Sequence, residues 1–160
     1  MTREIPLTQG QVAIVDDEVY ERESQFSWYA LWFKRTFYAV RGLQSDDDGE
    51  RRTILMHREI MRPPDGFEVD HWNRNTLDNR KENLRICTHS ENQWNKNKQS
   101  NNTSGYKGVT WSKQMKKWKA QIKVYGNLIY LGLFSDPIEA ALAYDTAAKQ
   151  LHGEFARTNF

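Results

Sequence analysis

Cysteine is almost missing from this chain of 160 residues: there is one, Cys87. A single thiol excludes an internal disulfide and any zinc site built on paired cysteines, which fits a reducing compartment. Long apolar runs are missing as well. No segment reaches the roughly 18 apolar residues of a membrane-spanning helix, and Met1-Thr2-Arg3-Glu4-Ile5-Pro6 has no apolar stretch of the secretory kind. The expected setting is soluble and intracellular, with no membrane partner. Acidic residues are scarce in one region: residues 80–123 hold 11 Lys/Arg against 2 Asp/Glu, a net charge of +9. Residues 1–50 carry the opposite bias, 5 Lys/Arg against 10 Asp/Glu, net −5, so the overall +2 conceals a strong asymmetry. Basic blocks with so few interspersed acids suit a polyanionic partner.

What is present is globular: 38% hydrophobic and 28% charged residues allow one ordinary domain or two small ones. Six tryptophans, seven tyrosines and seven phenylalanines are many for this length. Aromatics supply core volume or stacking platforms, and core is the expected use for most of them.

The first fifty residues read as β-rich. Gln11-Val12-Ala13-Ile14-Val15 is an apolar run closed by Asp16-Asp17, and residues 27–41 form a long aromatic segment. Ser45-Asp46-Asp47-Asp48-Gly49-Glu50 has loop composition, and residues 51–60 resume as a strand or short helix. This region, residues 1–53, is expected to form a small supporting sheet. After the turn signal Pro63-Pro64-Asp65-Gly66, Phe67-Glu68-Val69-Asp70-His71 reads as a strand of alternating outward and inward positions. Residues 73–79 have the Asn and Asp content of a loop that bonds its own backbone. Leu84-Arg85-Ile86-Cys87-Thr88 is a second strand, and Ser90 with Gln93 is a capping pair opening a helix through about Lys98.

This order places chemistry in one stretch. Hydrolysis of a phosphodiester needs an activated water and a cation to hold developing charge. Asp70 offers a carboxylate oxygen to a hard divalent ion and Asn92 a neutral amide oxygen. His71, pointing the opposite way along the strand, can act as a neutral general base. His57 either touches a phosphate or packs, and His89 is either a third ligand or an exposed side chain. Arg85 is a further candidate within the same stretch. A zinc site from His57, His71, Cys87 and His89 lacks any paired-ligand spacing. Set alone, an Asp-His pair is a surface turn more often than a site, and loop asparagines usually cap turns. The coordinated placement on strand, loop, strand and helix favours the catalytic reading.

Residues 54–98 resemble the HNH nuclease family, in particular its homing-endonuclease branch, whose site sits on a strand-loop-strand-helix unit of ββα-metal type. The resemblance implies that Asp70 is the metal-binding acid and His71 the general base. It further implies that Asn83 braces the loop and orients the base, and that Asn92 is the second metal ligand. It also implies a divalent cofactor, magnesium or manganese in its place.

Beyond residues 99–103, which have the composition of a linker, three strand-like runs precede a helix. In the middle run Trp118, Ala120, Ile122 and Val124 point one way, and Lys119, Gln121 and Lys123 the other. Asp136 is a plausible N-cap, Pro137 suits the first helical position, Glu139 completes a capping pair and Gly153 can end the helix. Ile138, Ala141, Leu142, Tyr144, Ala148 and Leu151 give an alanine-rich stripe that can sit close on a small sheet; His152 is expected merely to decorate the helix end.

Residues 104–160 resemble the DNA-binding domain of the plant APETALA and ethylene-response-factor type. The resemblance rests on Gly105-Tyr106-Lys107-Gly108-Val109, Lys117-Trp118, Ala120-Gln121-Ile122-Lys123, Tyr130-Leu131-Gly132-Leu133-Phe134, Ala143-Tyr144-Asp145 and Asn159-Phe160. It implies that Lys107, Lys119, Gln121, Lys123 and Tyr130 face double-stranded DNA from a three-stranded sheet, while Trp118 and Tyr144 pack in the core. Thr110 and Ser112 stand where the plant proteins have arginines, so fewer bidentate base contacts are expected. The whole reads as an α+β chain: a β-rich N-terminal region, an HNH unit of ββα-metal type, and a three-stranded antiparallel sheet packed on one helix. The expected activity is that of a metal-dependent DNA endonuclease of homing type, in the cytoplasm of a bacterial or phage-infected host, with no obligate protein partner. The alternatives are a non-catalytic DNA-binding regulator on the same scaffold, and an RNA-binding protein.

Overall fold

The structure is a computed structural model that describes residues 1–43, 52–99 and 101–160. The loop expected at Ser45-Asp46-Asp47-Asp48-Gly49-Glu50 lies outside the described residues. The chain is mixed α and β, with four small antiparallel sheets and four α-helices among the described residues. It divides into two compact units, Met1–Thr88 and His89–Phe160.

In the first unit, β1 (Thr2–Pro6) and β2 (Val12–Asp16) form a hairpin. The alternation of β2 buries Ala13 and Val15, because successive side chains on a strand face opposite ways. Helix α1 (Asp17–Glu23) follows at once, with Asp17 and Glu18 in its first turn where the helix dipole favours negative charge. A three-stranded sheet then runs in the order β3 (Tyr29–Phe33), β4 (Thr36–Leu43), β5 (Arg52–Leu55). Residues 51–60, legible in sequence as strand or helix, supply both: β5 passes directly into α2 (Met56–Met61). This helix stops at Arg62, which takes a left-handed conformation with φ 44°, and Pro63-Pro64 cannot continue it. Strands β6 (Glu68–His71) and β7 (Leu84–Cys87) then pair antiparallel.

One core serves all of these elements except β3. Ile5, Ala13, Val15, Val19, Trp28, Ala39, Met56, Ile60, Val69 and Leu84 form a single buried cluster. The N-terminal strands also bond directly to the loop after β6. Ile14 N–H donates to Leu77 O at 2.8 Å and Asn79 N–H to Ile14 O at 2.7 Å. Asp16 Oδ2 accepts from Lys81 N–H at 2.7 Å, and the hydroxyls of Thr36 and Thr76 meet at 2.7 Å.

In β6 the structure departs from the expected alternation, since Val69, Asp70 and His71 are all buried. Val69 and His71 share the core-facing side. Asp70 points the other way and is covered by Arg85, its cross-strand partner on β7.

The second unit begins with α3 (His89–Asn95), which starts one residue before Ser90 and stops short of Lys98. Its last carbonyls have another partner: Lys107 Nζ donates to Trp94 O at 2.5 Å and to Lys96 O at 2.7 Å. Strands β8 (Val109–Ser112), β9 (Lys117–Val124) and β10 (Asn127–Phe134) form an antiparallel sheet with β9 central. The β9–β10 turn falls on Tyr125-Gly126, φ 45° and 87°, the mirror-image turn that suits strand twist. Register shifts between Tyr130 and Gly132, a bulge that Gly132 accommodates with φ 141°.

Helix α4 (Pro137–Leu151) has the expected N-cap, with Asp136 Oδ1 accepting from Ile138 N–H at 2.6 Å. Its buried stripe is turned from the expected one. Ala140, Ala141, Tyr144, Asp145, Ala147 and Ala148 are buried, whereas Ile138, Leu142 and Leu151 are exposed. Small side chains let the helix sit close on the sheet, so the alanines and not the bulky residues define its inner face. Asp145 is inside because it holds the tail: its carboxylate accepts from Asn159 N–H at 2.8 Å and from Phe160 N–H at 3.0 Å. His152 is likewise buried rather than decorative. Its ring stacks on Trp94 with centroids 4.3 Å apart, and its Nε2 lies 3.1 Å from Lys123 O. No helix among the described residues is long and apolar enough to cross a membrane.

Candidate functional site

The end of β6 and the loop that follows bring several of the residues singled out by sequence together. Asp70 Oδ2 accepts from Arg85 Nε at 2.9 Å and from Arg85 Nη2 at 2.7 Å. This is a charge-assisted fork on a carboxylate whose side chain is only 8% exposed. On the other face of β6, His71 packs edge-on against His57, centroids 4.9 Å apart, and both rings meet Tyr38.

Burial sets the protonation of this cluster. It pushes the His71 imidazole below its ordinary pKa, while a side-chain hydrogen bond with Asn79 and the charges of Asp70 and Asp78 pull the other way. His57 is pushed down to about 3, by burial first and then by the positive fields of His71 and Arg58. Both are neutral imidazoles at neutral pH. Tyr38 is raised by burial and then by the Asp70 charge, so its phenol keeps its proton.

Asn83 sits at the hub of the loop and is 3% exposed. Its Oδ1 accepts from Asn73 N–H at 2.9 Å, its Nδ2 donates to Asp78 O at 2.7 Å, and its carbonyl accepts from Trp72 N–H at 2.8 Å. Asn83 thus ties both residues following His71 to the far side of the loop, Trp72 through its carbonyl and Asn73 through its side-chain amide, satisfying backbone groups that would otherwise be costly to bury. Asp78 makes a second tie. Its Oδ1 and Oδ2 each take a guanidinium bond from Arg80 at 2.7 Å, and Oδ2 also accepts from Asn73 Nδ2 at 2.8 Å. Those bonds from Arg80 are the main reason its carboxyl titrates below the usual carboxylate range.

The structure therefore joins Asp70, His71, His57, Asn83 and Arg85 within the first unit. Asn92 and His89 stand on α3 in the second unit, with His89 exposed and 3.2 Å from Gln93 Nε2. Among the described residues no group of three or more His, Cys, Asp and Glu side chains is close enough to cage a metal ion. Asn79 and Tyr38 are neighbours of His71 that sequence reading did not single out. Asn79 lies in the run Asp78-Asn79-Arg80, where its residue type is visible and its direction is not. Nothing in the sequence marks Tyr38 among its neighbouring aromatics.

On the sheet of the second unit, Lys119, Gln121 and Lys123 share the face of β9 opposite Ala120 and Ile122, which are buried. Tyr130, 59% exposed, is the cross-strand partner of Gln121. Lys107 differs from this group, because its ammonium is engaged by the carbonyls after α3 and burial lowers its pKa to about 8. A cleft of about 810 Å³ in the same unit is lined by Gln93, Asn97, Lys98, Thr110, Gln121 and Lys123 among others.

Comparison with known proteins gives these sites relatives. The chain is 34% identical to Protein 3.8 of Escherichia phage T7 over 108 residues, covering 67% of this chain and 88% of that protein. It belongs to the family of that phage protein. The HNH endonuclease family profile matches residues 62–94, which include Asp70, His71, Asn83, Arg85 and Asn92. An AP2-like ethylene-responsive transcription factor of Oryza sativa is 49% identical over 63 residues, 38% of this chain. A dehydration-responsive element-binding protein of Arabidopsis thaliana is 44% identical over 61 residues. This member of the phage family thus combines an HNH segment with an AP2-like segment. It spans only 10% of the rice protein and 18% of the Arabidopsis one, so the likeness is to one segment of each.

Proposed function

We propose that the chain is a metal-dependent DNA endonuclease of HNH homing type. On this reading a ββα-metal unit over residues 54–98 hydrolyses phosphodiester bonds in double-stranded DNA, and a linker at 99–103 leads to a DNA-reading domain at 104–160. The observation that carries it is the His71 imidazole, kept neutral by burial, packed edge-on against His57 and set beside the Asp70 carboxylate at one strand end. A general base at neutral pH must be unprotonated and held in one orientation, and the burial of His71 against His57 and Tyr38 supports that role.

His71 takes a proton from the attacking water at an imidazole nitrogen. Asn83 holds the loop that follows, so the base keeps its aim while charge moves. Arg85 fixes the rotamer of Asp70 through two bonds to one oxygen. The donor types fit a hard divalent cation: a carboxylate at Asp70 and, by the sequence pattern, the amide oxygen of Asn92, an oxygen set of few protein ligands that suits magnesium or manganese. When bound, that ion stabilises the charge on the scissile phosphate and on the leaving 3′ oxygen, leaving 5′ phosphate and 3′ hydroxyl ends. Lys119, Gln121, Lys123 and Tyr130 are the proposed DNA contacts of the sheet. Lys107 is better suited to closing α3 than to touching DNA, since its donors are taken by carbonyls.

The test is incubation of the purified chain with supercoiled plasmid, with magnesium or with chelator, alongside His71→Ala. Wild type is expected to nick or linearise with metal, and the variant to bind without cutting. Equal cutting by both removes His71 from the role of base. Binding without cutting by wild type favours the regulator on an HNH scaffold.

A further inference from the structure

The β3–β4 hairpin ends in Trp32-Phe33-Lys34-Arg35, and nothing in the site above uses it. Trp32 is 57% exposed and Phe33 52%. Neighbours on a strand face opposite ways, so these two rings flank the hairpin on its two faces, each exposed to water as buried rings are not. They are already ordered: Trp32 meets Phe37 edge-on with centroids 4.8 Å apart, and Lys34 Nζ lies 4.9 Å from the Phe33 ring centre. The turn itself is Lys34-Arg35, with φ 49° and 70°. Both residues occupy the left-handed region that asparagine and glycine adopt most cheaply, so the chain accepts strain to hold two cations at the tip.

Charge says what kind of surface these groups fit. Between Glu23 and Asp46 there is no acidic residue, and Lys34 and Arg35 stand at the tip; Arg41, further along β4, is paired with Glu59 at 3.6 Å. This cationic window lies inside a region, residues 1–50, whose net charge is −5. Cations interleaved with exposed rings complement a phosphate backbone and its sugars and bases. The hairpin is also anchored at the candidate site: Thr36, next after the turn, bonds Thr76 of the site loop, and the Tyr38 ring lies 6.5 Å from His71. At about 3.4 Å per residue the turn lies roughly 13 Å along β4 from Tyr38. That span is about four base-pair steps of a duplex.

We propose that the β3–β4 tip is a second DNA contact, gripping the duplex about four base pairs from the scissile phosphate. Lys34 and Arg35 contact phosphates, and Trp32 and Phe33 pack against sugars and base edges. The position of the contact rests on the nuclease reading; its chemistry rests on the tip alone.

The variant that tests it is Lys34→Asn with Arg35→Gly in the full chain, since asparagine and glycine suit this turn and leave its geometry intact. With a duplex of about thirty base pairs, affinity is expected to fall about tenfold near physiological salt. The slope of log affinity against log salt should become shallower by about 2, one for each phosphate that the variant no longer neutralises. Hydroxyl-radical protection should vanish about four base pairs from the nick and persist elsewhere. Trp32→Phe should reduce the quenching of tryptophan emission that DNA produces. Unchanged affinity, salt slope and footprint overturn the proposal, as does a wild-type chain that binds no duplex. A DNA-free self-association that the double variant abolishes, with DNA affinity unchanged, makes the tip a protein interface and also overturns it. A wild type that never cuts but shows the slope change defeats the nuclease reading while the phosphate contacts of the tip stand.

Discussion

Acidification from pH 7.5 to pH 5 is expected to weaken the first unit by about 2 kcal/mol through His57 alone. His57 is 6% exposed, lies between the rings of Tyr38 and His71, and has its pKa held at about 3 by burial. In the unfolded chain the same imidazole titrates near its ordinary value of about 6.5. Between those two values the unfolded chain binds a proton that the native chain refuses, so stability rises with pH across the window. It is fully present above about 6.5 and is lost as pH falls toward about 3. At pH 5 the unfolded chain gains about 1.5 units' worth of protonation at about 1.4 kcal/mol per unit, which gives the figure above. His71 is shifted the same way, so comparison with His57→Phe is needed to isolate one residue. Phenylalanine keeps a ring between Tyr38 and His71 and removes the titration. Urea unfolding of protein carrying 5-fluorotryptophan, followed by fluorine NMR at the buried Trp28, reads this unit separately. The wild-type loss between the two pH values should exceed that of the variant by about 2 kcal/mol. Equal pH dependence in the two proteins would refute the assignment of a refused proton to His57.

Two further outcomes follow from other contacts. Arg85→Gln leaves the buried Asp70 carboxylate without its fork and should cost about 3–5 kcal/mol, whereas Asp70→Asn combined with Arg85→Gln should recover part of that loss. Additive losses in that urea double-mutant cycle contradict direct pairing. Gly108→Ala should unfold the second unit and leave the Trp28 signal of the first unchanged. An added Cβ would lie 2.0 Å from Tyr144 Cδ2 and 2.8 Å from Gln121 O, on a backbone with φ +77°. A native-like Trp118 resonance in that variant would contradict the close approach.

Much of this was legible in the residues, for reasons that differ from place to place. The β9 alternation of Trp118, Ala120, Ile122 and Val124 against Lys119, Gln121 and Lys123 is a period-2 signal, and the strand follows it because its neighbours bury one face. The start of α4 was equally clear, since Asp136 and Pro137 act within one turn. The inner face of that helix was not. Ala141, Tyr144 and Ala148 of the expected stripe are buried, but Ile138, Leu142 and Leu151 are not, and only the tertiary distance decides which side chains the sheet admits. At the site, Asp70 and His71 stood out by type and spacing, whereas Asn83 stood out only through the family resemblance. The fork from Arg85, the packing of His71 on His57 and Tyr38, and the pairing of Ile14 with Leu77 and Asn79 join segments through space, where no spacing rule reaches. His152 illustrates the same gap, since its place at a helix end suggested solvent until Trp94 stacked on it.

The rung that Ile14 adds to the loop after β6 has a consequence for anyone treating the HNH segment as a portable cassette. A transplant cut at residue 54 would leave Leu77 O and Asn79 N–H with water in place of a strand, and the Lys81 amide without the Asp16 carboxylate. The opening hairpin of the chain is in effect part of the same machine, and a transferable version begins at the first strand.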